Sequence, residues 1–377
     1  MKKKVFTALG LMTGTSVDGV DLSLIKSDGL SYFTSIFNKY YKLDADLREG
    51  IIELRDKISS VEDLKEYSKK LKIIERDLTL FHAEIINEIF KDYKEDIDLI
   101  GFHGQTIFHK PSIKISLQLG DGKLLSQLTQ KIVINDFRKN DLDNGGQGAP
   151  LVPVFHKLIL TKINKEFKIN FPVNIINIGG ITNITQITNK DNLNAYDVGP
   201  GNCLIDEWVR KNSDKLFDEN GLIRKSGKVN DLILNQAVDN FSDFSLENSL
   251  DVKDFDISFA KGLSLEDGCA TITKFSAYLI AEGLKKLDEG KNDLKQNYIL
   301  CGGGRKNNFL IESIQNFLSD KEVEFKKIDD YEFDGDYIES QAFAYLAIRS
   351  YLKLPISFPN TTRCKSPTTG GVINKNF

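Results

Sequence analysis

The sequence predicts an α/β protein of two similar lobes, because its pattern of strands and helices occurs twice. Each half opens with two short strands joined by a glycine-rich turn, at residues 14–19 and 179–183, and then alternates helices with strands. A chain of 377 residues is too long for one ordinary core and suits two domains. We therefore expect two lobes that flank a cleft.

Hydrophobic periodicity places the elements of the first half. Residues 4–10 and 20–26 are predicted to be strands, and in the second of these apolar and polar residues alternate. Apolar residues three and four apart predict one long helix over 61–93. The other elements expected here are a strand at 31–38, a helix at 44–56, and strands at 97–102, 114–119 and 132–135.

The second half begins after the loop-forming segment at 144–150. We expect strands at 173–178, 184–188, 193–198, 297–301 and 322–327, and helices near 203–212, 229–240, 266–287, 305–318 and 339–352. We place the change of lobe near this segment and assign residues 1–135 to an N-terminal lobe and 136–337 to a C-terminal lobe. A C-terminal helix within 338–377 is expected to complete the first lobe.

Composition excludes several classes of function. A net charge of −4 and a pI near 5.8 argue against a nucleic-acid-binding protein, which usually carries a basic face. The sequence contains no run of 18 apolar residues, so no membrane span is predicted. The short apolar stretch after Met1–Lys4 is not expected to be a signal peptide. The four cysteines form no CxxC pair, which favours reduced structural thiols over a zinc site. We expect a cytoplasmic protein.

The two glycine turns are candidate phosphate-binding sites. A turn of small residues such as Gly14–Gly19 can direct backbone N–H groups and hydroxyls at phosphate oxygens. Asp18 would be repelled by phosphate, but it can hold a Mg²⁺ that bridges the phosphates. Gly179 and Gly180 form the second turn, and no Walker sequence is present. Ordinary hairpin turns are the alternative interpretation of both segments.

Two further segments of the second half have alternative interpretations. Asp197 ends a short apolar strand before a Gly-Pro-Gly bend, where a carboxylate can act as a general base or can merely cap the turn. Gly302–Gly304 lie between a strand and a helix, where the absence of side chains suits an adenosine pocket or a flexible turn.

A mixed polar group in the first half suits a sugar. His103, Gln105, Asp136, Arg138 and Asp141 supply donors and acceptors in two short segments. The planar fork of Arg138 matches a carboxylate, although a solvated surface charge is the alternative.

Taken together and in this order, these segments resemble the anhydro-N-acetylmuramic acid kinase family. The segments that carry the resemblance are Met12–Asp21, His103–Thr106, Asp136–Arg138, Gly145–Pro153, Asn177–Gly180, Asp197–Asn202 and Cys301–Gly304. The resemblance runs nearly end to end. This chain has Thr13 where the family commonly has Ser, and Arg363 where a small residue is expected.

The resemblance implies a fold, a reaction and a set of site residues. The fold is two actin-like (ribonuclease H-like) lobes around an interlobe ATP and sugar cleft. Water opens 1,6-anhydro-N-acetylmuramic acid at C1, and O6 takes the γ-phosphate of ATP, with Mg²⁺, in peptidoglycan recycling. The residues assigned to ATP are Gly14, Thr15, Ser16, Val17, Asp18, Gly19, Val20, Asp21, Gly179, Gly180, Gly302, Gly303 and Gly304. The residues assigned to the sugar are His103, Gln105, Thr106, Arg138, Asp141, Gly201 and Asn202, and the base is Asp197.

Three other functions remain as alternatives. The chain could phosphorylate another sugar, could be a non-enzymatic ATP-driven switch of the actin or chaperone type, or could bind or cleave a sugar without ATP. Sugar-dependent ATP consumption distinguishes the kinase from the other classes. No nucleic-acid or membrane partner is expected, and a homodimer is left open.

Overall fold

The chain divides into two compact units. The computed structural model describes residues 4–169, 172–188, 192–241, 245–246, 249–287, 296–319 and 321–377. Unit 1 comprises Met1–Ile159 and Tyr337–Phe377, and unit 2 comprises Leu160–Asp336.

Unit 1 is built on a mixed six-stranded sheet with helices on both faces. Its strands are β1 (Phe6–Thr13), β2 (Gly19–Ser27), β3 (Phe33–Lys42), β4 (Leu99–Phe102), β5 (Gln105–Lys110), β6 (Ile115–Leu119), β7 (Ile132–Asn135) and β13 (Val372–Asn374). The sheet order is β13-β7-β4-β1-β2-β3, and β5 and β6 form a separate hairpin. Strands β1, β4 and β7 are parallel, whereas β2, β3 and β13 are antiparallel to their neighbours. The helices are α1 (Ala45–Lys57), α2 (Val61–Glu66), α3 (Ser68–Asp92), α4 (Gly122–Thr129), α5 (Lys139–Asp143), α12 (Ile338–Tyr351) and α13 (Pro359–Thr362).

Unit 2 has a five-stranded mixed sheet. Its strands are β8 (Val173–Ile178), β9 (Ile181–Ile187), β10 (Leu193–Pro200), β11 (Gln296–Cys301) and β12 (Val323–Lys327), in the order β10-β9-β8-β11-β12. The helices are α7 (Cys203–Asn212), α8 (Leu222–Lys225), α9 (Asp231–Asn240), α10 (Leu265–Leu287) and α11 (Asn308–Phe317). Helix α6 (Pro153–Phe167) begins in unit 1 and ends in unit 2.

The two sheets share one topology. Each has three antiparallel strands in sequence order. The first of them pairs on its other side with a parallel strand, which in turn pairs with a second parallel strand, giving the order 3-2-1-4-5. In unit 1 the added strand β13 extends this order. This repeated arrangement is the ribonuclease H-like plan, and it confirms the predicted class of two similar α/β lobes.

One helix approaches the strands of each sheet at glycines. Leu9 and Leu11 of β1 belong to the hydrophobic core shared with α1 and α3, and Gly10 between them faces α12. A Cβ on Gly10 would lie 1.9 Å from the backbone oxygen of Ser340. In unit 2 a Cβ on Gly283 of α10 would lie 2.2 Å from the backbone oxygen of Val198. Both glycines are therefore required for close packing of a helix on a strand.

The change of unit comes later than the 135/136 boundary expected from the sequence. Phe155, near the start of α6, is fully buried and packs its ring on Phe33 and Tyr345 of unit 1. These contacts hold the first part of α6 on the N-terminal unit. The C-terminal segment from Tyr337 also lies in unit 1.

Some predicted elements differ from the observed ones. The single helix expected over 61–93 is two helices, because the chain breaks at Tyr67 after α2. Ser60 caps α2, and Asp63 completes a capping box. Elements not predicted from the sequence are β5, β13, α4, α5, α6, α8 and α13.

Candidate functional site

The candidate residues of unit 1 lie at one edge of its sheet. Strand β1 ends at Thr13, β4 ends one residue before His103, and β7 ends one residue before Asp136. Because these three strands are parallel, their carboxyl ends meet at the same edge. Ligands of open α/β sheets bind at this edge, so the structure brings the first glycine turn and the predicted sugar residues to one end of the unit.

The tip of the β1–β2 hairpin is fixed from several sides. Val17 has a φ of 54°, yet its side chain is fully buried. A β-branched residue in the left-handed region is a backbone outlier, and such strain is typical of functional sites. The carbonyl of Thr15 accepts a hydrogen bond from Arg55 (2.5 Å), and that of Asp18 accepts one from the N–H of Leu43 (3.1 Å). The turn is therefore held in one conformation.

The carboxylate of Asp18 is held at the hairpin tip. One oxygen accepts a hydrogen bond from the Ser16 hydroxyl, and the other accepts one from the Tyr40 hydroxyl at 3.0 Å. A Cβ on Gly19 would lie 2.4 Å from the Tyr40 ring, so only glycine leaves room for that tyrosine. Burial and the Asp18 charge raise the pKa of Tyr40, which keeps it a hydrogen-bond donor.

The hairpin tip fits a Mg²⁺ that is held mainly by phosphates. Mg²⁺ commonly binds through one or two carboxylates together with phosphate oxygens and water. Asp18 supplies one partly exposed carboxylate at the tip. Within the described ranges no group of three or more His, Cys, Asp or Glu side chains could hold a metal ion by itself. The donor set therefore suits a metal that arrives with a phosphate ligand.

His103 and Arg138 form one network at the same sheet edge. Nη2 of Arg138 lies 3.0 Å from Nε2 of His103, and Nη1 donates to the carbonyl of Gly148 at 3.0 Å. Since arginine can only donate, Nε2 of His103 must accept, and its Nδ1–H donates to the carbonyl of Gly104 at 2.8 Å. Burial and the Arg138 charge lower the pKa of His103 to about 3, so the ring is neutral.

Asp141 holds a loop in place. It is 1% exposed, and its two oxygens accept hydrogen bonds from the hydroxyl of Thr362 (2.6 Å) and the N–H of Gly148 (2.7 Å). A Cβ on Gly146 would lie 2.2 Å from the same carboxylate. The sequence assigned Asp141 to the sugar, but in the structure it fixes the loop whose Gly148 carbonyl orients Arg138.

The remaining candidates of unit 1 lie nearby. Gln105 is buried, and its Oε1 has no hydrogen-bond partner among the described residues. Thr106 follows it and accepts from the side-chain amide of Gln118 at 3.3 Å. Asp136 is partly exposed, with φ 52°, and burial raises its pKa. An unpartnered buried acceptor at this edge suits a ligand hydroxyl.

We expect the free energy of unfolding to decrease as the pH is lowered from about 6.5, because the four histidines of the protein are neutral inside unit 1. Burial lowers the pKa of His82 to about 4 and those of His103, His109 and His156 to about 3. The unfolded chain takes up these protons near pH 6.5 and the folded chain does not, so stability present above that pH is lost as the pH falls towards 3. Each histidine contributes a slope of up to about 1.4 kcal/mol per pH unit.

Urea unfolding between pH 7.5 and 4.5 measures this loss. The His82→Gln variant should show a shallower pH dependence than the parent chain, because one titrating group is removed. A free energy of unfolding that stays constant from pH 6.5 to 5 would contradict the expectation.

In unit 2 the second glycine turn joins the start of α7. The carbonyl of Gly180 accepts from the N–H groups of Gly201 (2.8 Å) and Cys203 (3.2 Å), and that of Gly179 accepts from Asn202 (2.8 Å). A Cβ on Gly201 would lie 2.2 Å from the Gly179 oxygen, so this approach requires glycine. The two carbonyls, which would repel phosphate, are thereby engaged within the unit.

The three glycines after β11 meet the same turn. Gly302 has a φ of 78°, and a Cβ there would lie 2.4 Å from Oδ1 of Asn177 at the end of β8. Among the described residues, a Cβ on Gly303 would meet only the side-chain nitrogen of Asn202, at 3.9 Å, so this glycine borders open space on their side. Gly201 and Asn202, which the sequence assigned to the sugar, therefore lie with the segments that it assigned to the nucleotide.

Asp197 lies in β10 beside a bulge. The register between β10 and β9 shifts between Asp197 and Gly199. Gly199 has a φ of 151°, and a Cβ on it would lie 3.1 Å from the backbone nitrogen of Ile280 in α10. Asp197 is 8% exposed, and its Oδ2 accepts a hydrogen bond from the N–H of Leu250 at 2.9 Å. The bulge gives this carboxylate a defined orientation, as a positioned base requires.

Several residues that support the site were not predicted. Tyr40 and Arg55 hold the hairpin tip, Thr362 holds Asp141, and Arg305 holds the loop of Gly302. Thr362 is 221 positions from its partner, and no local spacing signals such a contact. The four cysteines are buried and form no disulfide with one another. No helix in the part of the chain that the structure describes is long and apolar enough to cross a membrane.

Comparison with known proteins gives a consistent result. The family described as anhydro-N-acetylmuramic acid kinase matches residues 6–376. A protein of that name from Pelagibacter ubique (strain HTCC1062) is 52% identical over 100% of both chains. Another from Agrobacterium fabrum (strain C58) is 36% identical over 98% of this chain and 99% of its own. One solved structure that resembles the chain is (R)-2-hydroxyglutaryl-CoA dehydratase component A from Acidaminococcus fermentans. It matches 92% of this chain and 100% of its own with 14% identity and a TM-score of 0.42, a likeness too low to bear on function.

Proposed function

The chain belongs to the anhydro-N-acetylmuramic acid kinase family, and we propose that unit 2 carries its nucleotide-binding loops and its base while unit 1 carries the sugar-binding residues and a phosphate-binding hairpin. The protein is a phosphotransferase with an alcohol group as acceptor. It opens 1,6-anhydro-N-acetylmuramic acid with water and phosphorylates O6 from ATP, a step of peptidoglycan recycling. The products are N-acetylmuramic acid 6-phosphate and ADP.

One observation supports the nucleotide assignment above all others. Three segments that are far apart in the sequence meet in unit 2, namely the Gly179–Gly180 turn, the Gly201–Asn202 start of α7 and the Gly302–Gly304 loop. Gly303 borders open space, so a ribose or the flat face of a base can approach the backbone there. The side-chain amide of Asn202 lies beside it and can serve as a polar contact.

The hairpin tip in unit 1 is assigned to the phosphates. Small residues from Gly14 to Ser16 leave room for an anion, and the strained turn at Val17 is held by contacts from Arg55. Asp18 is the residue that would hold Mg²⁺. When bound, Mg²⁺ neutralises the charge that develops on the transferred phosphoryl group. Because the reaction consumes ATP, we place it in the cytoplasm.

The sugar is assigned to the His103–Arg138 network. Arg138 is partly exposed, and its guanidinium is oriented by hydrogen bonds to His103 and the carbonyl of Gly148. Its fork can take the lactyl carboxylate of the substrate in two parallel hydrogen bonds. Gln105 and Thr106 lie at the same edge, where their polar atoms suit sugar hydroxyls.

Asp197 is assigned as the general base. Its carboxylate takes a proton from the water that attacks C1, and the C1–O6 bond breaks as the new C1–O bond forms. The electron pair left on O6 then forms the bond to the γ-phosphorus of ATP, while the bond from that phosphorus to the oxygen of ADP breaks and ADP leaves with its electron pair. The N–H of Leu250 donates a hydrogen bond to one oxygen of this carboxylate and so helps to fix its orientation.

The reaction is tested by mass spectrometry in ¹⁸O-water. Purified protein with ATP, Mg²⁺ and 1,6-anhydro-N-acetylmuramic acid should give a product with one label at C1 and one phosphate at O6. Glucose and N-acetylglucosamine in place of the substrate test for a kinase of another sugar. Release of phosphate without any sugar would instead indicate an ATP-driven switch.

We predict that Arg138→Ala raises KM for the muramic substrate by about 10- to 100-fold, because a charge-assisted pair with its carboxylate is lost. KM for ATP should change much less. The Lys139→Ala variant removes the exposed neighbouring charge and should leave both KM values unchanged. Steady-state kinetics with each substrate varied separately makes the measurement. An equal rise of both KM values for Arg138→Ala would remove this residue from the sugar site.

A further inference from the structure

A buried arginine directly follows the glycine loop of unit 2. Arg305 is 3% exposed, and its Nε and Nη2 donate to the two oxygens of Asp329 at 2.7 and 2.8 Å. Its Nη1 donates to Asp336 at 2.6 Å, and Lys306 also pairs with Asp336. Burial alone would lower the pKa of Arg305, but its hydrogen bonds to the carboxylates of Asp329 and Asp336 raise it, so the guanidinium is charged.

The same guanidinium contacts the loop backbone directly. Nη1 of Arg305 donates to the carbonyl of Gly302 at 3.1 Å, and the N–H of Gly302 donates to the carbonyl of Gly335, also at 3.1 Å. A Cβ on Gly335 would lie 2.4 Å from Nε of Arg305, so that segment closes over the guanidinium only because it has no side chain there. Both polar groups of the Gly302 backbone are therefore fixed through this arrangement.

Glycine is the residue that most needs such support. Gly302 adopts φ 78°, and three successive glycines lose more conformational freedom on ordering than any other tripeptide. Side chains within the loop cannot restrict it, because there are none. A loop that binds a ligand through its backbone therefore depends on contacts from outside to be preorganised.

We propose that Arg305 is a positioning residue for the nucleotide: it holds the Gly302–Gly304 backbone in the conformation that receives ATP. The inference rests on the proposed assignment of this loop to the nucleotide. Asp329 and Asp336 act with Arg305, since a bidentate pair and a second carboxylate fix the direction of the guanidinium. Loss of this direction should weaken nucleotide binding more than it weakens the fold.

The test compares nucleotide affinity, sugar KM and thermal stability in the full-length chain. Arg305→Lys keeps the charge but cannot make the planar fork. We expect Kd for ATP, measured by calorimetry without sugar, to rise by about tenfold or more, equivalent to the loss of one good hydrogen bond. The KM for the sugar should stay within about twofold of the parent value, a smaller change than the loss of one hydrogen bond would cause. Asp336→Asn keeps the size of the side chain and should also raise Kd for ATP, but by less. It replaces Arg305→Lys in the test if that variant does not fold.

Arg349→Lys is the matched control. Arg349 is also a buried arginine that holds backbone carbonyls, those of Gly29 and Pro355, but it does so in unit 1. The Arg349→Lys substitution should lower Tm and leave Kd for ATP unchanged. If the Arg305 and Asp336 variants likewise lower Tm with unchanged Kd, Arg305 only stabilises the fold and the inference is overturned.

Gly303→Val separates this outcome from failure of the nucleotide assignment itself. A side chain there meets open space, so the variant should fold but block the approach of ATP. Normal ATP affinity in Gly303→Val would remove the loop from the nucleotide site. Reduced affinity in Gly303→Val with normal affinity in Arg305→Lys would reject only the role of Arg305.

Discussion

The Asp197→Asn variant is expected to lose about 10²–10⁴-fold in kcat, the contribution of a positioned general base, while it still binds ATP and sugar. The amide has nearly the same size, and its oxygen can still accept the hydrogen bond from Leu250. It cannot accept a proton from water at neutral pH. Ring opening and phosphoryl transfer are coupled, so both products should disappear together.

Asp218→Asn provides the matched control. Asp218 is in unit 2 and is 8% exposed like Asp197, and it too accepts backbone hydrogen bonds, from Ile223 and Arg224. Its substitution should lower Tm, and its activity should follow the folded fraction. Tm, kcat and ligand affinity are measured on one preparation of each variant. A stable Asp197→Asn protein with near-normal kcat would return Asp197 to a turn-capping role.

Elements bounded by strong local signals could be predicted from the sequence. The strand at 132–135, the strand at 173–178 and the helix at 203–212 have the expected limits, because glycine, proline and polar residues interrupt the apolar pattern on each side. The two glycine turns were identified for the same reason. Their repetition in both halves predicted the paired lobes.

Elements without such signals were not predicted. Strand β5 follows β4 after only His103 and Gly104, and φ of 73° at Gly104 lets the chain turn there at once. A Cβ on that glycine would lie 2.1 Å from the Leu119 oxygen of β6, so the hairpin depends on a contact 15 residues away. Tertiary packing of this kind has no local sequence signature.

The same limit applies to the candidate site. The sequence indicates which residues carry chemistry, such as Arg138 and Asp18, because charge and hydrogen-bonding capacity belong to each side chain. It does not indicate which residues hold them, since Tyr40 and Gly148 reach these groups only in the folded chain. The unexpected Arg363 has a φ of 63°, which explains why a small residue suits that position.

The Gly14→Val variant is expected to lose at least about 100-fold in ATP affinity, or about 2.8 kcal/mol at 1.4 kcal/mol per decade. Gly14 opens the hairpin turn whose N–H groups and hydroxyls are assigned to the phosphates. A branched side chain there would occupy the space that the anion needs. The variant should nevertheless fold, because the nearest described atom to a Cβ at Gly14, its chain neighbours aside, is the Ser16 hydroxyl at 3.9 Å.

Gly19→Val separates loss of a binding surface from loss of structure within the same turn. Its Cβ would lie 2.4 Å from the ring of Tyr40, so this substitution displaces the tyrosine that holds Asp18 and should lower Tm. Calorimetric titration with ATP and thermal unfolding of both variants provide the comparison. Gly14→Val should retain the parent Tm while its ATP affinity falls. If Gly14→Val bound ATP as tightly as the parent chain, the hairpin would not be the phosphate-binding element.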